Sequence, residues 1–339
     1  MDKFGWIIIA ALMSFTSLSA QAKHKGFVIS SDDGNYKMKL GGRVQFRYTY
    51  DAIDGFDKGE ADASAFNIPR ARLKLAGHLF EKNVTYYFQT DFGKGKAELK
   101  DFFTDYVLNK KWLHIRAGQW KRPFSRQQLT SSGKQEFVDR AITDKAFMAG
   151  RDIGMSIHNH YIKSPQIEYA LGLFNGNGTQ SDNFTARFNP TIVARLGYNY
   201  GGIKGYSETD FEGGGFRFAI GTSGLMNLDI DEDDTSDSAL MGELDFMIKL
   251  HGLTASAAVY YSQADGESTI DGKPVSDALG LHGQLGYLLS GRYQPVVRFA
   301  MVKYDATKTT KTELAAGLSV YPYKHNFKWQ TDFTIRSQS

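Results

Sequence analysis

Apolar and polar side chains alternate residue by residue along almost the whole chain, and that period leaves room for little but strands. From Lys37 to Tyr50, Met38, Leu40, Val44, Phe46, Tyr48 and Tyr50 share one parity, while Lys37, Lys39, Arg43, Gln45, Arg47 and Thr49 hold the other. Successive side chains of a strand point to opposite faces, so this segment has one apolar and one cationic face. The next segment repeats the device, with Leu73, Leu75 and Leu79 against Arg70, Arg72, Lys74 and His78. Comparable segments are predicted at about 83–92, 97–108, 112–119, 152–161, 165–174, 190–200 and 215–224. More follow at about 239–250, 252–263, 277–289, 292–303, 311–321 and 325–335. Fifteen segments averaging about ten residues are too long for sandwich strands and suit tilted strands that cross a bilayer.

The connections carry a second rhythm. Long ones (51–64, 118–151, 174–189, 225–238, 264–276) alternate with tight ones such as Glu81-Lys82-Asn83, Asn109-Lys110-Lys111 and His251-Gly252. Membrane barrels have long outer loops and short periplasmic turns. One connection, 201–214, is long where this scheme wants a turn. The acidic runs Asp51 to Asp62 and Asp229 to Asp234 fall in long loops, and Tyr and Phe gather near segment ends, as in interfacial girdles.

Residues 1–22 stand apart. Lys3 precedes the apolar run Phe4–Met13, and the stretch closes on Ala20-Gln21-Ala22, which reads as a secretory signal cleaved before Lys23. The expected organisation is a signal peptide at 1–22 and one barrel domain at 23–339, exported through the Sec pathway to a Gram-negative outer membrane. No later stretch has the run of about 18–20 apolar residues a membrane helix needs. With no Cys in 339 residues, disulfides, thiolate metal sites and thiol catalysis are excluded. The balance of 40 Lys+Arg against 37 Asp+Glu argues against a nucleic-acid partner.

Several motifs resemble those of the phosphate-selective porin O and P family. They are Gly42-Arg43-Val44-Gln45-Phe46, Arg70-Ala71-Arg72-Leu73, Ala117 through Ser125, Phe137-Val138-Asp139-Arg140-Ala141, Gly150 through Gly154 and Phe174-Asn175-Gly176. The likeness is most specific over 116–176 and weaker over about 35–335. It implies an all-β, transmembrane antiparallel barrel of about 16 strands, a homotrimer, and a long third loop folded into the lumen. Fifteen strands are counted from Tyr36; either a segment near Phe27–Ser31 supplies another, or a closing strand is absent.

The residues that bear on function are cations on the lumen parity. In the first strands these are Lys39, Arg43, Arg47, Arg70, Arg72, Lys74 and Arg116; across the barrel they are Arg195, Arg217 and Arg298. The third loop adds Lys121, Arg122, Arg126, Lys134 and Arg140, and the family resemblance makes Lys121 the candidate central loop lysine. Rings of Arg and Lys favour anions in a confined pore, and the guanidinium fork matches phosphate or carboxylate oxygens. Against this, Asp91, Asp101, Asp105, Glu168, Glu243, Asp245 and Asp332 share the inward parity, and pairing with them would make many of the cations structural.

The expected function is passive diffusion of small, anionic solutes through a water-filled porin, with phosphate or polyphosphate as candidate cargo. The alternative is a structural or adhesive barrel with a weakly selective or closed lumen. Enzymatic activity is not expected, since no Ser, Asn or acid is evident beside the inward His78 and His114. No cofactor or metal is expected either: Asp91-Phe92-Gly93 lacks kinase companions, and His158-Asn159-His160 reads as a polar turn. The expected partners are membrane lipid and lipopolysaccharide.

Overall fold

The computed structural model describes residues 27–52, 63–176, 178–179, 190–228, 238–264, 269–270 and 273–339. The expected signal peptide at 1–22, most of the acidic run 51–62 and the acidic run 229–234 lie outside them. One antiparallel sheet of 16 strands runs in chain order. The strands are β1 (Phe27–Ser30), β2 (Lys37–Asp51), β3 (Ala63–His78), β4 (Val84–Asp91), β5 (Glu98–Asn109), β6 (Leu113–Lys121), β7 (Arg151–His158) and β8 (Ile167–Phe174). They continue as β9 (Thr191–Tyr200), β10 (Arg217–Asn227), β11 (Ala239–Leu250), β12 (Leu253–Ala264), β13 (Ala278–Tyr287), β14 (Tyr293–Tyr304), β15 (Thr310–Val320) and β16 (Trp329–Gln338). The strand that completes the expected count is Phe27–Ser30, which pairs with Lys37–Leu40.

Alternation becomes two chemically distinct faces. On β11, Leu240, Leu244 and Phe246 are exposed on the outside, while Glu243, Asp245 and Lys249 are buried inside. On β9, Leu196, Tyr198 and Tyr200 are exposed and Val193, Arg195 and Asn199 buried. An apolar exterior around a polar interior is the signature of a barrel in lipid. Aromatic side chains stand outward near the short-turn end, among them Tyr36, Phe80, Trp112, Tyr200, Tyr293 and Trp329.

Pro69 interrupts β3. It has no N–H to donate, and the β2–β3 register slips there, from Gln45↔Arg70 to Arg47↔Asn67. One residue of β2, Phe46, thus opposes two of β3, Ile68 and Pro69. The bulge sits between the side chains of Arg47 and Arg70.

Two connections fold inward. Loop 122–150 carries two short helices, α1 (Arg126–Leu129) and α2 (Ile142–Ala146). Its Phe124 and Phe147 pack with Trp120, Phe174, Val193, Met241 and Tyr260 inside the sheet. Phe147 approaches so closely that a Cβ on Gly280 would lie 2.3 Å from its ring. Farther along, Phe137 packs on Val296 and Ala315. Burying each Phe contributes about 1.5–3 kcal/mol to docking the loop.

The second inward connection is 201–216, the one whose length broke the expected rhythm. Gly201 and Gly202 both take φ of +71°, which lets the chain turn back at the end of β9. Ile203, Tyr206, Thr209 and Asp210 are then buried. Among the described residues, β1 pairs with β2 and β16 with β15, and no ladder joins β1 to β16. Loop 122–150 bridges β2 and β16 from within: Arg47 meets Asp139 at 2.6 Å, and Val138 N donates to Asp332 Oδ2 at 3.0 Å.

Candidate functional site

The inward cations divide into two sets. On the β6–β15 side the buried arginines are matched by acids, while Lys249, also buried, bonds backbone carbonyls instead. Arg116 forks onto Asp105 at 2.6 and 2.8 Å, and Arg217 Nη2 donates to both oxygens of Asp210 at 2.9 and 2.8 Å. Arg298 reaches Glu313 at 2.9 Å and lies over the Phe137 ring. Arg122, fully buried, bonds to Asp152 and to Ala149 O. Arg195 contacts Glu168, Glu243 and Asp245 at 3.2, 3.4 and 2.8 Å. Arg126, from α1, joins the same cluster through Asp245, Glu168 and Gly205 O. These guanidiniums satisfy buried carboxylates and pin the two inward connections to the wall; breaking such a pair costs about 3–5 kcal/mol.

The second set lines the β2–β3 wall and the facing side of loop 122–150. Lys39 is exposed, and Arg43, Arg47, Arg70, Arg72 and Lys74 are part-exposed. Arg43 donates to Ser132 Oγ at 2.8 Å, and its Nε has no partner. Arg47 and Arg70 share one acid, Asp139, at 2.6 and 4.0 Å. Arg72 pairs with Asp91 at 2.7 Å. Across from them, Arg140 lies 3.6 Å from Asp144, and Arg151 3.1 Å from Asp101. Lys121 ends β6 rather than sitting within the loop, and its Nζ donates to Gln128 O. Among the described residues, Lys39, Arg43, Lys74, Lys121 and Lys134 form no ion pair with an acid.

Five acids (Asp91, Asp101, Asp139, Asp144, Asp332) thus stand among eight cations (Arg43, Arg47, Arg70, Arg72, Lys74, Lys121, Arg140, Arg151) around this part of the lumen. Uncompensated guanidiniums and ammoniums behind low-dielectric walls concentrate anions. Parity placed both sets inward but could not separate them, because pairing depends on neighbours brought together by register and by the loop. Lys328 shares the inward parity of Gln330 and Asp332 and is a further inward cation beyond the candidates named from the sequence. It donates to Gln135 O at 2.8 Å, and burial pulls its ammonium down to about 7.

One cluster corrects the sequence reading. His114 stacks on His158 at 5.2 Å, and His158 Nε2 lies 3.3 Å from Asp105 Oδ1, so an acid does stand in the histidine neighbourhood. Arg116 holds that same Asp105 through both carboxylate oxygens. No group of three ligating side chains fit for a metal occurs among the described residues.

Residues 38–199 match the family model of phosphate-selective porin O and P. An uncharacterized protein of Aquifex aeolicus (strain VF5) is 23% identical over 341 residues, spanning 86% of this chain and 80% of that protein. Among solved structures, the anion-selective porin from Comamonas acidovorans superposes with a TM-score of 0.56 at 11% identity, covering 84% of each chain. The outer membrane channel DcaP of Acinetobacter baumannii gives 0.56 at 13% identity, over 92% of this chain and 99% of that one. A loop L8 deletion mutant of OmpT, an outer membrane protein of Vibrio cholerae, gives 0.60 at 8% identity, over 90% and 95%. At such identities the likeness to the solved structures is one of fold.

Proposed function

We propose that this chain is an outer-membrane porin that admits small anions by passive diffusion along the β2–β3 wall. The observation that carries the reading is the unequal charge pairing: acids match the arginines of the far wall and leave the cations of the near wall in excess. The family match over 38–199 and the barrel fold support the same reading. Inorganic phosphate is the candidate cargo, since Arg43, Arg70 and Arg72 present guanidiniums to one space. A homotrimer in contact with lipid and lipopolysaccharide, exported through Sec after loss of residues 1–22, completes the proposal.

The test is planar-bilayer recording of the purified mature protein under a KCl gradient. The expected reversal potential is chloride-selective, with phosphate reducing the current. Changing Arg43, Lys74 and Lys121 together to Ala is expected to move the potential toward zero, whereas Lys111→Ala, on an exposed turn, leaves it in place. An unmoved potential in the triple variant rejects the assigned path. A barrel with no conductance favours the structural or adhesive alternative.

A further inference from the structure

The inward connection 201–216 meets loop 122–150 in the lumen through two buried acids. Glu136 lies on the loop and is 1% exposed; Glu208 lies on the connection and is 5% exposed. Both carboxylates accept from one amide: Gln284 Nε2 is 2.7 Å from Glu136 Oε2 and 3.1 Å from Glu208 Oε2. Glu208 Oε2 also accepts from the backbone N of Glu136 at 2.8 Å, and Glu208 N donates to Lys134 O at 3.0 Å. Gln294 Nε2 donates to Glu136 Oε1. Among the described residues, neither acid forms an ion pair.

We propose that Glu136 and Glu208 form a proton-dependent latch between the two inward segments, closed when the pair holds a proton and released when both acids are charged. The proposal rests on the channel reading for its effect on current, but the latch itself is a property of the fold.

From β11, Lys249 contributes an ammonium, but its Nζ is committed to Lys204 O, Ser207 O and Thr209 O at 3.2, 2.6 and 3.2 Å. β13, β14 and β15 offer only neutral Gln284, Gln294 and Ser319, the last donating to Glu136 O at 2.9 Å. The β15–β16 connection brings Tyr321 and His325, which bond Thr209 and Ser207, and Lys328, whose Nζ is on Gln135 O. Gln330 of β16 donates to Glu136 O at 2.7 Å. The two lysines therefore act at a distance, while the two acids share a single donor.

Burial and the adjacent Glu208 push the Glu136 carboxyl up to about 8. A group whose pKa is raised in the closed contact binds its proton more tightly there than when the segments separate. The contact is then strongest below the ordinary carboxylate range, weakens as pH rises, and reaches its minimum above about 8. Because 201–216 occupies the lumen, its release widens the aperture.

The experiment is hydrogen exchange of the Glu136 and Glu208 amides between pH 5 and pH 9, corrected for intrinsic rate, in the full protein in detergent. Single-channel conductance is recorded over the same range. In the wild type, protection is expected to fall by at least about tenfold from pH 5 to pH 9, with conductance rising in step. Glu136→Gln, neutral at every pH, is expected to keep both flat; Glu208→Gln serves the same purpose if the first variant does not fold. Flat wild-type protection, or a fall of equal size in both Gln variants, overturns the latch. Lost protection in a barrel that never conducts keeps the latch and overturns the channel reading.

Discussion

At the scale of single residues, partnership decides what an inward charge does. Arg195 and Arg43 have the same side chain on the same parity, yet Arg195 is enclosed by Glu168, Glu243 and Asp245, and Arg43 meets only a serine hydroxyl. The first holds the structure together; the second keeps a charge that no acid offsets. Asp139 stands at the boundary, serving Arg47 and Arg70 at once. Asp139→Asn removes the shared counter-charge without changing shape, so the reversal potential is expected to shift further toward that of a chloride-selective pore. An unmoved potential would show that Asp139 is not on the solute path. The sequence located these residues on the inner face through period two, but the split between them arises from contacts between separate elements, such as Arg47–Asp139, 92 positions apart.

At the scale of elements, strand positions were legible because each had to satisfy two solvents. β11 spans Ala239–Leu250, matching the stretch expected from its alternation, and β12 and β14 begin and end one residue later than expected. Less legible was where the long connections go. Loop 122–150 docks because Phe124, Phe137 and Phe147 find apolar hollows inside a polar barrel, and those hollows are assembled from several strands. Gly280→Leu fills the space taken by Phe147, an overpacking expected to cost about 1–3 kcal/mol of docking. Faster proteolysis within 122–150, in a barrel that still resists urea, is the expected result; an unchanged rate would mean that Phe147 does not hold the loop. The 201–216 segment carried only the signal of excess length, since glycine pairs mark turns of either direction.

At the scale of the whole molecule, the barrel is a core turned outside in: the apolar faces turn outward, and buried ion pairs with two inward connections occupy much of the interior. Leu244, at mid-strand on β11 and exposed on the outer face, measures the outer half of that arrangement. Leu244→Arg is expected to destabilise the membrane-inserted barrel by about 2–4 kcal/mol, read as loss of urea resistance after folding into lipid vesicles. A neutral result would mean that this face does not meet hydrocarbon. By itself, the sequence determined the strand period, the two faces, the rhythm of connections and the family motifs over 116–176, because each is set by spacing along the chain and by the solvent a face must meet. Only the tertiary structure decided which cations are neutralised, that 201–216 turns inward, and that Glu136 and Glu208 share one amide. Those depend on how strands far apart in sequence are placed side by side, and alternation alone holds no record of a side chain's neighbours across the lumen.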